Sequence, residues 1–270
     1  MSIEIILILF AVGIAAGLLA GIFGVGGGII IVPSLISVYS YTHPGMEYAA
    51  QAAIATSLFT IIFTSISSAY KHTRNHNVLT ADAIYIGVTS AVTVFLISRT
   101  AIGFSQDILK KIFIAVLIIV AVRILLDRSY KSYEEVKDGT KHNKLVLLVI
   151  GLLTGTIAAF TGLGGAVFAV PLLHYFLKLP FRKCIGTTTL AVLITSLGGA
   201  FSYYMNSPAG VHISGLSFGL VDIGSALPII AASIPFAQVG VYIHNKISSR
   251  MLPRIFAVFV LIICARMIFF

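Results

Sequence analysis

The chain reads nearly the same thing twice. Gly13, Gly17, Gly24, Gly26, Gly27 and Pro33 return at the same internal spacing as Gly151, Gly155, Gly162, Gly164, Gly165 and Pro171, 138 positions further along a chain of 270 residues. The correspondence runs on: Thr56-Ser57-Leu58 is matched to Thr188-Thr189-Leu190, Thr64-Ser65 to Thr195-Ser196, Asp82 to Asp222, and Ile112-Phe113 with Arg123 to Ile255-Phe256 with Arg266. The offset drifts only between 131 and 143, as short loop insertions in a duplicated unit would make it. Two related units must therefore fold on one set of instructions, and in an apolar chain such duplication marks secondary transporters.

Composition identifies the medium. Mean hydropathy is +1.04, 58% of residues are hydrophobic and 10% are charged, against about 25% charged in soluble domains. This predicts an all-α integral membrane protein with no separate soluble domain, since the longest polar stretch is 127–144. The first apolar run carries Glu4 where a cleaved leader would carry Lys or Arg, and is read as a retained helix. Cys184 and Cys264 sit in apolar surroundings in different segments and read as small core residues. The net charge of +9 lies on residues scattered between apolar spans, which points to membrane orientation and away from nucleic acid.

The run from Ile3 to Tyr39 would be roughly 55 Å long as one helix, at about 1.5 Å per residue, against a hydrocarbon core of roughly 30 Å. It must break, and Gly24-Val25-Gly26-Gly27-Gly28 is where it can reverse. The run from Lys144 to Leu177 breaks likewise at Gly162-Leu163-Gly164-Gly165. With further spans near Met46–Tyr70, Thr80–Ser98, Gln106–Leu126, Phe181–Asn206, Ser214–Ile243 and Ser249–Phe269, the expectation is ten segments, five in each half. The halves are 1–126 and 145–270, joined by a charged linker at 127–144.

Lysine and arginine in short loops collect on the cytoplasmic side. Ten segments put Lys71, Arg74, Arg128, Lys131, Lys137, Lys141, Lys144, Lys178, Arg182, Lys183, Lys246, Arg250 and Arg254 on one side, and only Arg99, Lys110 and Lys111 on the other. Counting each glycine-broken hairpin as a single span divides the same residues evenly, so ten segments is the better reading. It places the linker inside and both termini outside. An odd number of segments per half makes the second half enter upside down, the inverted repeat of alternating-access carriers. The segments after the turns, Ile29–Tyr39 and Ala166–Leu177, are short for full spans, and the hairpins are expected to dip part-way.

An apolar chain in two halves, each opening with a glycine-rich turn followed by a proline and closing with Ile-Phe and a terminal arginine, resembles the sulfite exporter TauE/SafE family of membrane proteins. The resemblance covers essentially the whole chain, and Gly24 to Pro33 with Gly162 to Pro171 is its most specific part. It implies a secondary transporter that exports small sulfur-containing anions, such as sulfite or sulfoacetate, across a bacterial inner membrane. Ala166 stands where the first turn has Gly28, so the two turns are not identical.

The glycine turns lead the candidate site. Each precedes a helix whose first N–H groups lack partners, and those donors with the positive helix end make an anion site that glycine lets a ligand approach. Gly24, Gly26, Gly27 and Gly28 in one half, and Gly162, Gly164 and Gly165 in the other, are the expected substrate-binding residues, against the alternative of close helix packing over small residues. Thr56, Ser57, Thr187, Thr188 and Thr189 add hydroxyls that can donate to an anion without bringing a full charge into hydrocarbon, unless they bond their own backbone. Gln51 is a further candidate of the same kind, and Thr64-Ser65 and Thr195-Ser196 are placed to line a pathway.

Arg123 and Arg266 read as interfacial anchors at helix C-termini, and Asp82 and Asp222 as carboxylates stabilising helix N-termini. Either carboxylate would become a proton-coupling group if it faced the cavity. No two of the seven histidines face each other at helical spacing within one span, and His72 with His76 reads as part of a basic cytoplasmic rim, so no metal site is expected. No P-loop is present, and no nucleophile with its base, so neither ATP hydrolysis nor another enzymatic activity is expected, and no cofactor. The expected partners are a small anion and the lipid bilayer, with a homodimer left open. The competing reading is an anion channel, or a carrier of other small carboxylate or inorganic anions.

Overall fold

Each half opens with a helix that glycine ends. Helix α1 (Ile3–Phe23) and helix α6 (Lys144–Thr161) stop at Gly24 and Gly162, whose φ values of 68° and 67° place them in the left-handed region. Their N–H groups close the helices onto Ala20 O and Ala158 O, the usual glycine C-terminus. Gly26 and Gly27 (φ 68° and 84°) and Gly164 and Gly165 (φ 64° and 77°) are left-handed too. Other residues would meet a cost of about 1–2 kcal/mol at each such position. The chain therefore reverses, and α2 (Gly28–Thr42) and α7 (Ala166–Leu177) run back, with Pro33 and Pro171 inside them.

The computed structural model describes residues 2–126, 142–208, 213, 215–248 and 251–269, with the side chains of 123–126 and 266–269 excepted. The remaining helices are α3 (Ala49–Arg74), α4 (Thr80–Ile102), α5 (Gln106–Leu126), α8 (Phe181–Met205), α9 (Ile223–Lys246) and α10 (Leu252–Phe269). A two-residue-per-strand antiparallel hairpin, β1 (Ser217–Phe218) and β2 (Val221–Asp222), leads into α9. It occupies the start of the span expected from Ser214, so that helix begins later. Most of the expected linker, at 127–141, lies outside the described residues.

Among the described residues, α1, α3, α4, α6, α8 and α9 are each long and apolar enough to cross a membrane. The chain is a multi-span helical membrane protein. At 15 and 12 residues, α2 and α7 are about 22 Å and about 18 Å long, short of a roughly 30 Å core. Large apolar side chains point outward all round, among them Ile3, Leu7, Leu96, Leu145 and Ile262. Such a surface suits lipid, with every backbone bond made inside the helices. Cys184 and Cys264 are buried free thiols.

Helices α3 and α8 are the most enclosed, and the others pack on them. Helix α1 lies against α9 and α6 against α4. A Cβ at Gly13 or Gly17 would come within 2.5 Å of Ile229 O or Ser233 O, and one at Gly155 within 2.5 Å of Ser90 O. These glycines let backbones touch directly, the common solution for helix contact in lipid. Residue numbers of the touching positions rise together along α1 and α9, along α3 and α9, along α4 and α6, and along α4 and α8. Thus α1, α3 and α9 run one way. The turn at 75–79 reverses the chain into α4, and α6 and α8 run with it.

The contacts correct the register of the repeat. Gly162 packs on Ile54 and Gly24 on Ile185; Thr56 Oγ1 receives Asp222 N–H and Thr187 Oγ1 receives Leu79 N–H. Thr56 therefore matches Thr187, one residue earlier than the text match suggested. Asp222 matches Leu79, the residue before α4, and not Asp82. Identical letters fall out of register here because the intervening loops differ in length.

Candidate functional site

The two glycine turns meet. A Cβ at Gly28 would lie 2.8 Å from Gly162 O and 3.0 Å from Leu163 Cα, so the first turn of α2 rests on the opposite hairpin. Val192 of α8 stands against both, 3.4 Å from a Cβ at Gly26 and 2.7 Å from one at Gly164. No side chain caps α2 or α7. Both N-termini are buried, and a buried, uncapped helix N-terminus with its positive end is the arrangement that favours an anion.

The hydroxyls divide into tied and untied groups. Ser57 Oγ donates to Gly162 O at 2.9 Å, bracing one turn from α3. Thr189 Oγ1 donates to Ile185 O at 2.8 Å, and a Cβ at Gly24 would lie 2.7 Å from that hydroxyl. Thr56 and Thr187 accept from the N-terminal regions of α9 and α4, at 2.9 and 3.0 Å. By contrast Thr188 Oγ1, Ser65 Oγ and Ser196 Oγ are buried with no hydrogen-bond partner. Ser65 and Ser196 occupy matched places in α3 and α8, and Ser196 Oγ would sit 3.1 Å from a Cβ at Gly164. These three hydroxyls have capacity to spare for a ligand.

Gln51 serves elsewhere. Its Nε2 donates to Ile102 O and Phe104 O at 3.3 and 2.8 Å, tying α3 to the turn between α4 and α5, while Oε1 is buried without a partner. It lines a cleft of about 570 Å³ with Glu47, Gln106 and Lys110. Lys110 also borders a separate apolar crevice of about 10 Å³ between Val32, Ile54, Phe113 and Phe160. Val32 and Ile54 are the residues a Cβ at Gly162 would strike. The crevice has room for about one water and lies beside the glycine turn. From the sequence Lys110 reads only as an orientation charge; folding of the α2–α3 and α4–α5 turns toward each other brings it here, and no sequence spacing signals that.

The carboxylates have settled partners. Asp222 Oδ1 caps α9 by accepting Ser225 N–H at 3.3 Å, as the N-terminal reading expected, and Oδ2 also accepts from Tyr39 Oη at 3.2 Å. Asp82 is paired with His142, Oδ2 to Nδ1 2.6 Å. The side chains of Arg123 and Arg266 lie outside the described residues. His72 departs from the expected rim: it is fully buried, because the last turn of α3 packs on the end of α1, and its ring meets that of His244 from α9.

A bundle of apolar helices around two opposed, uncapped, glycine-broken hairpins is the build of a membrane transporter rather than of a soluble binding module. The comparison with known sequences agrees in class and gives the family. Residues 9–267 match the family described as sulfite exporter TauE/SafE, and the chain belongs to it. A probable membrane transporter protein of Methanocaldococcus jannaschii, MJ0441, is 29% identical over 249 residues, covering 91% of this chain and 88% of that one. A probable membrane transporter protein of Haemophilus influenzae is 26% identical over 263 residues, 97% of each chain. The probable membrane transporter protein YdhB of Bacillus subtilis is 25% identical over 242 residues, 89% of each chain. No solved structure matches the chain.

Proposed function

We propose that this transporter is a secondary carrier that exports small sulfur-containing anions, sulfite or organosulfonates such as sulfoacetate, by alternating access around the paired glycine turns. The observation that carries the reading is the meeting of Gly28 with the Gly162 turn, which sets the uncapped N-terminus of α2 against the turn that leads into the uncapped N-terminus of α7. One helix end attracts an anion with roughly half an elementary charge; two such ends hold it without a buried cation, which lets it leave again. The sulfur assignment draws support from the description of the family. Binding residues in this reading are Gly24, Gly26, Gly27, Gly28, Gly162, Gly164 and Gly165 through their backbones, and Thr188 through its free hydroxyl. Thr56, Ser57, Thr187 and Thr189 brace the turns, and Gln51 belongs to the outer cleft.

The ten segments form two inverted repeats, 1–126 and 145–270, with 127–144 between them, in a bacterial inner membrane with both termini outside. Opposed directions of α1 and α6, of α3 and α8, and of α4 and α9 support this. Two pseudo-equivalent hairpins then exchange roles as the molecule opens to either side. The substrate reading is tested by thermal stabilisation of the purified protein with sulfite, sulfoacetate, sulfate, acetate and chloride over a concentration series. Concentration-dependent stabilisation confined to sulfite or sulfoacetate is the expected result. Equal response to chloride or acetate would replace it with a general anion carrier, and no response by folded protein would remove the sulfur assignment.

A further inference from the structure

The two ends of the bundle are held by matched clasps that differ in one residue. Gln51 of α3 and Arg182 of α8 correspond at the offset of 131 that relates Thr56 to Thr187. Each donates to two carbonyls at the end of the following helix. Gln51 Nε2 reaches Ile102 O and Phe104 O at 3.3 and 2.8 Å, and Arg182 Nη2 reaches Asn245 O and Ile247 O at 3.2 and 2.8 Å. The carbonyls correspond in turn, at the offset of 143 that relates Leu79 to Asp222. One tie is thus made twice, once at each end of the molecule. An amide suffices for it in the first half, so the tie alone does not call for a guanidinium in the second.

The atoms left over are opposite in sense. Two carbonyls hold the nitrogen of the Gln51 amide, which leaves the acceptor Oε1 buried without a partner. Arg182 leaves a donor, Nε, buried without a partner. A surplus N–H on a charged group is suited to an anion. The surroundings differ in the same direction. Among the described residues, the cleft at Gln51 is lined by two carboxylates, Glu47 and Asp107, and one cation, Lys110. The stretches 174–190 and 244–254, which flank the Arg182 clasp in the sequence, contain no Asp or Glu, and Lys178 precedes α8 where Glu47 precedes α3. His244, in the last turn of α9, is engaged elsewhere, its Nδ1 2.7 Å from Ile22 O. The preference of cations for the cytoplasmic side accounts for lysine and arginine in loops. It does not account for a guanidinium drawn into the first turn of α8 with one N–H to spare, where the other half uses a neutral amide.

We propose that Arg182 binds the transported anion at the mouth between α8 and α9, through Nε–H and the charge of its guanidinium, and that neutral Gln51 at the matched mouth holds it far less tightly. The ligand is a small oxyanion; its sulfur chemistry rests on the substrate reading, whereas the site rests on Arg182. The mouth leads to the glycine turn. A Cβ at Gly24 would lie 2.6 Å from Ile185 O, and Ile185 is three residues, about one turn of α8, beyond Arg182. Gly162 packs likewise on Ile54, three residues beyond Gln51. Charge at a mouth supplies no driving force, which comes from the anion's own gradient and the membrane potential. It sets the side on which the carrier saturates at the lower concentration. In the ten-segment orientation that side is the cytoplasm, and release is into the outer cleft, where carboxylates outnumber the cation.

The test uses Arg182→Gln, which copies the opposite half and keeps a donor for Asn245 O and Ile247 O. Gln51→Arg is its converse, and Arg254→Gln, at an exposed position early in α10, controls for positive charge in general. Sulfite binding in nanodiscs is read as thermal stabilisation over a concentration series, and labelled sulfite uptake is measured in inside-out and right-side-out membrane vesicles. Arg182→Gln should weaken binding about ten- to hundredfold, with the ligand-free midpoint near wild type. It should also bring the half-saturation concentrations from the two sides, unequal in wild type, toward one another by raising the cytoplasmic one. Gln51→Arg should instead lower the outer one, and Arg254→Gln should keep binding within about twofold of wild type. Unchanged sulfite binding by folded Arg182→Gln, or an equal loss in Arg254→Gln, would overturn the site. If Arg182→Gln does not fold, an unchanged outer half-saturation in Gln51→Arg overturns it. Wild type that responds to chloride or acetate and not to sulfite, with that response lost in Arg182→Gln, would remove the sulfur assignment and uphold the site. No response of folded wild type to any of these anions would remove both.

Discussion

At the scale of single residues, the hydroxyls separate structure from binding. Ser57 braces Gly162 O, and Ser57→Ala should cost about 1–3 kcal/mol, because it removes a hydrogen bond and leaves a buried carbonyl unserved. Thr188 has no such duty. Thr188→Val should leave the unfolding midpoint near wild type while weakening anion binding about ten- to hundredfold, the worth of one hydrogen bond to a charged group at about 1.5–3 kcal/mol. Paired thermal melts with and without sulfite measure both; loss of stability with unchanged sulfite response in Thr188→Val would reverse the assignment. The glycines separate in the same way. Gly162→Ala meets a left-handed backbone and Ile54 Cα at 2.9 Å, and should lose at least about 1–2 kcal/mol of stability. Gly28 is helical, so Gly28→Ala carries no such strain, but its Cβ wedges against Gly162 O. It should insert, fold and transport poorly, which efflux assays against expression level will read.

At the scale of elements, the halves interlock through matched polar contacts. Thr64 Oγ1 meets Ser233 Oγ at 2.8 Å between α3 and α9, and Ser90 Oγ meets Thr195 Oγ1 at 2.7 Å between α4 and α8. Each pair should show a coupling of about 0.6–1.7 kcal/mol in a double-mutant cycle with Val and Ala, the range of side-chain hydrogen bonds between helices in lipid. Coupling at one pair and none at the other would mean that the two interfaces move differently. Much of this level was legible beforehand. Glycines announced the breaks in α1–α2 and α6–α7 because only glycine accepts three left-handed positions in so short a stretch. Apolar length announced the long helices. The partners across helices were not legible, because an apolar stripe does not say which neighbour it faces. For that reason identical letters pair Asp82 with Asp222, and His72 reads as part of a basic rim although its ring packs against that of His244 across α3 and α9.

At the scale of the whole molecule, orientation is the consequence that binds the others. If ten segments place the Lys71, Arg74 and Lys246 end in the cytoplasm, the cleft at Gln51 and Lys110 opens to the outside. The native thiols help to test this, since Cys184 and Cys264 are 0% and 3% exposed and should stay silent to a membrane-impermeant maleimide. Arg74, Lys111 and Lys246 are all exposed. In intact cells Lys111→Cys should label, while Arg74→Cys and Lys246→Cys should label only after permeabilisation. Arg74 ends α3 in the first half and Lys246 ends α9 in the second, so their agreement tests the inverted relation as well as the orientation. Labelling of Arg74→Cys and Lys246→Cys from opposite sides would break the inverted repeat. Labelling of both from outside, with Lys111→Cys protected, would keep the repeat and turn the carrier over, making the Gln51 cleft the cytoplasmic entrance for substrate.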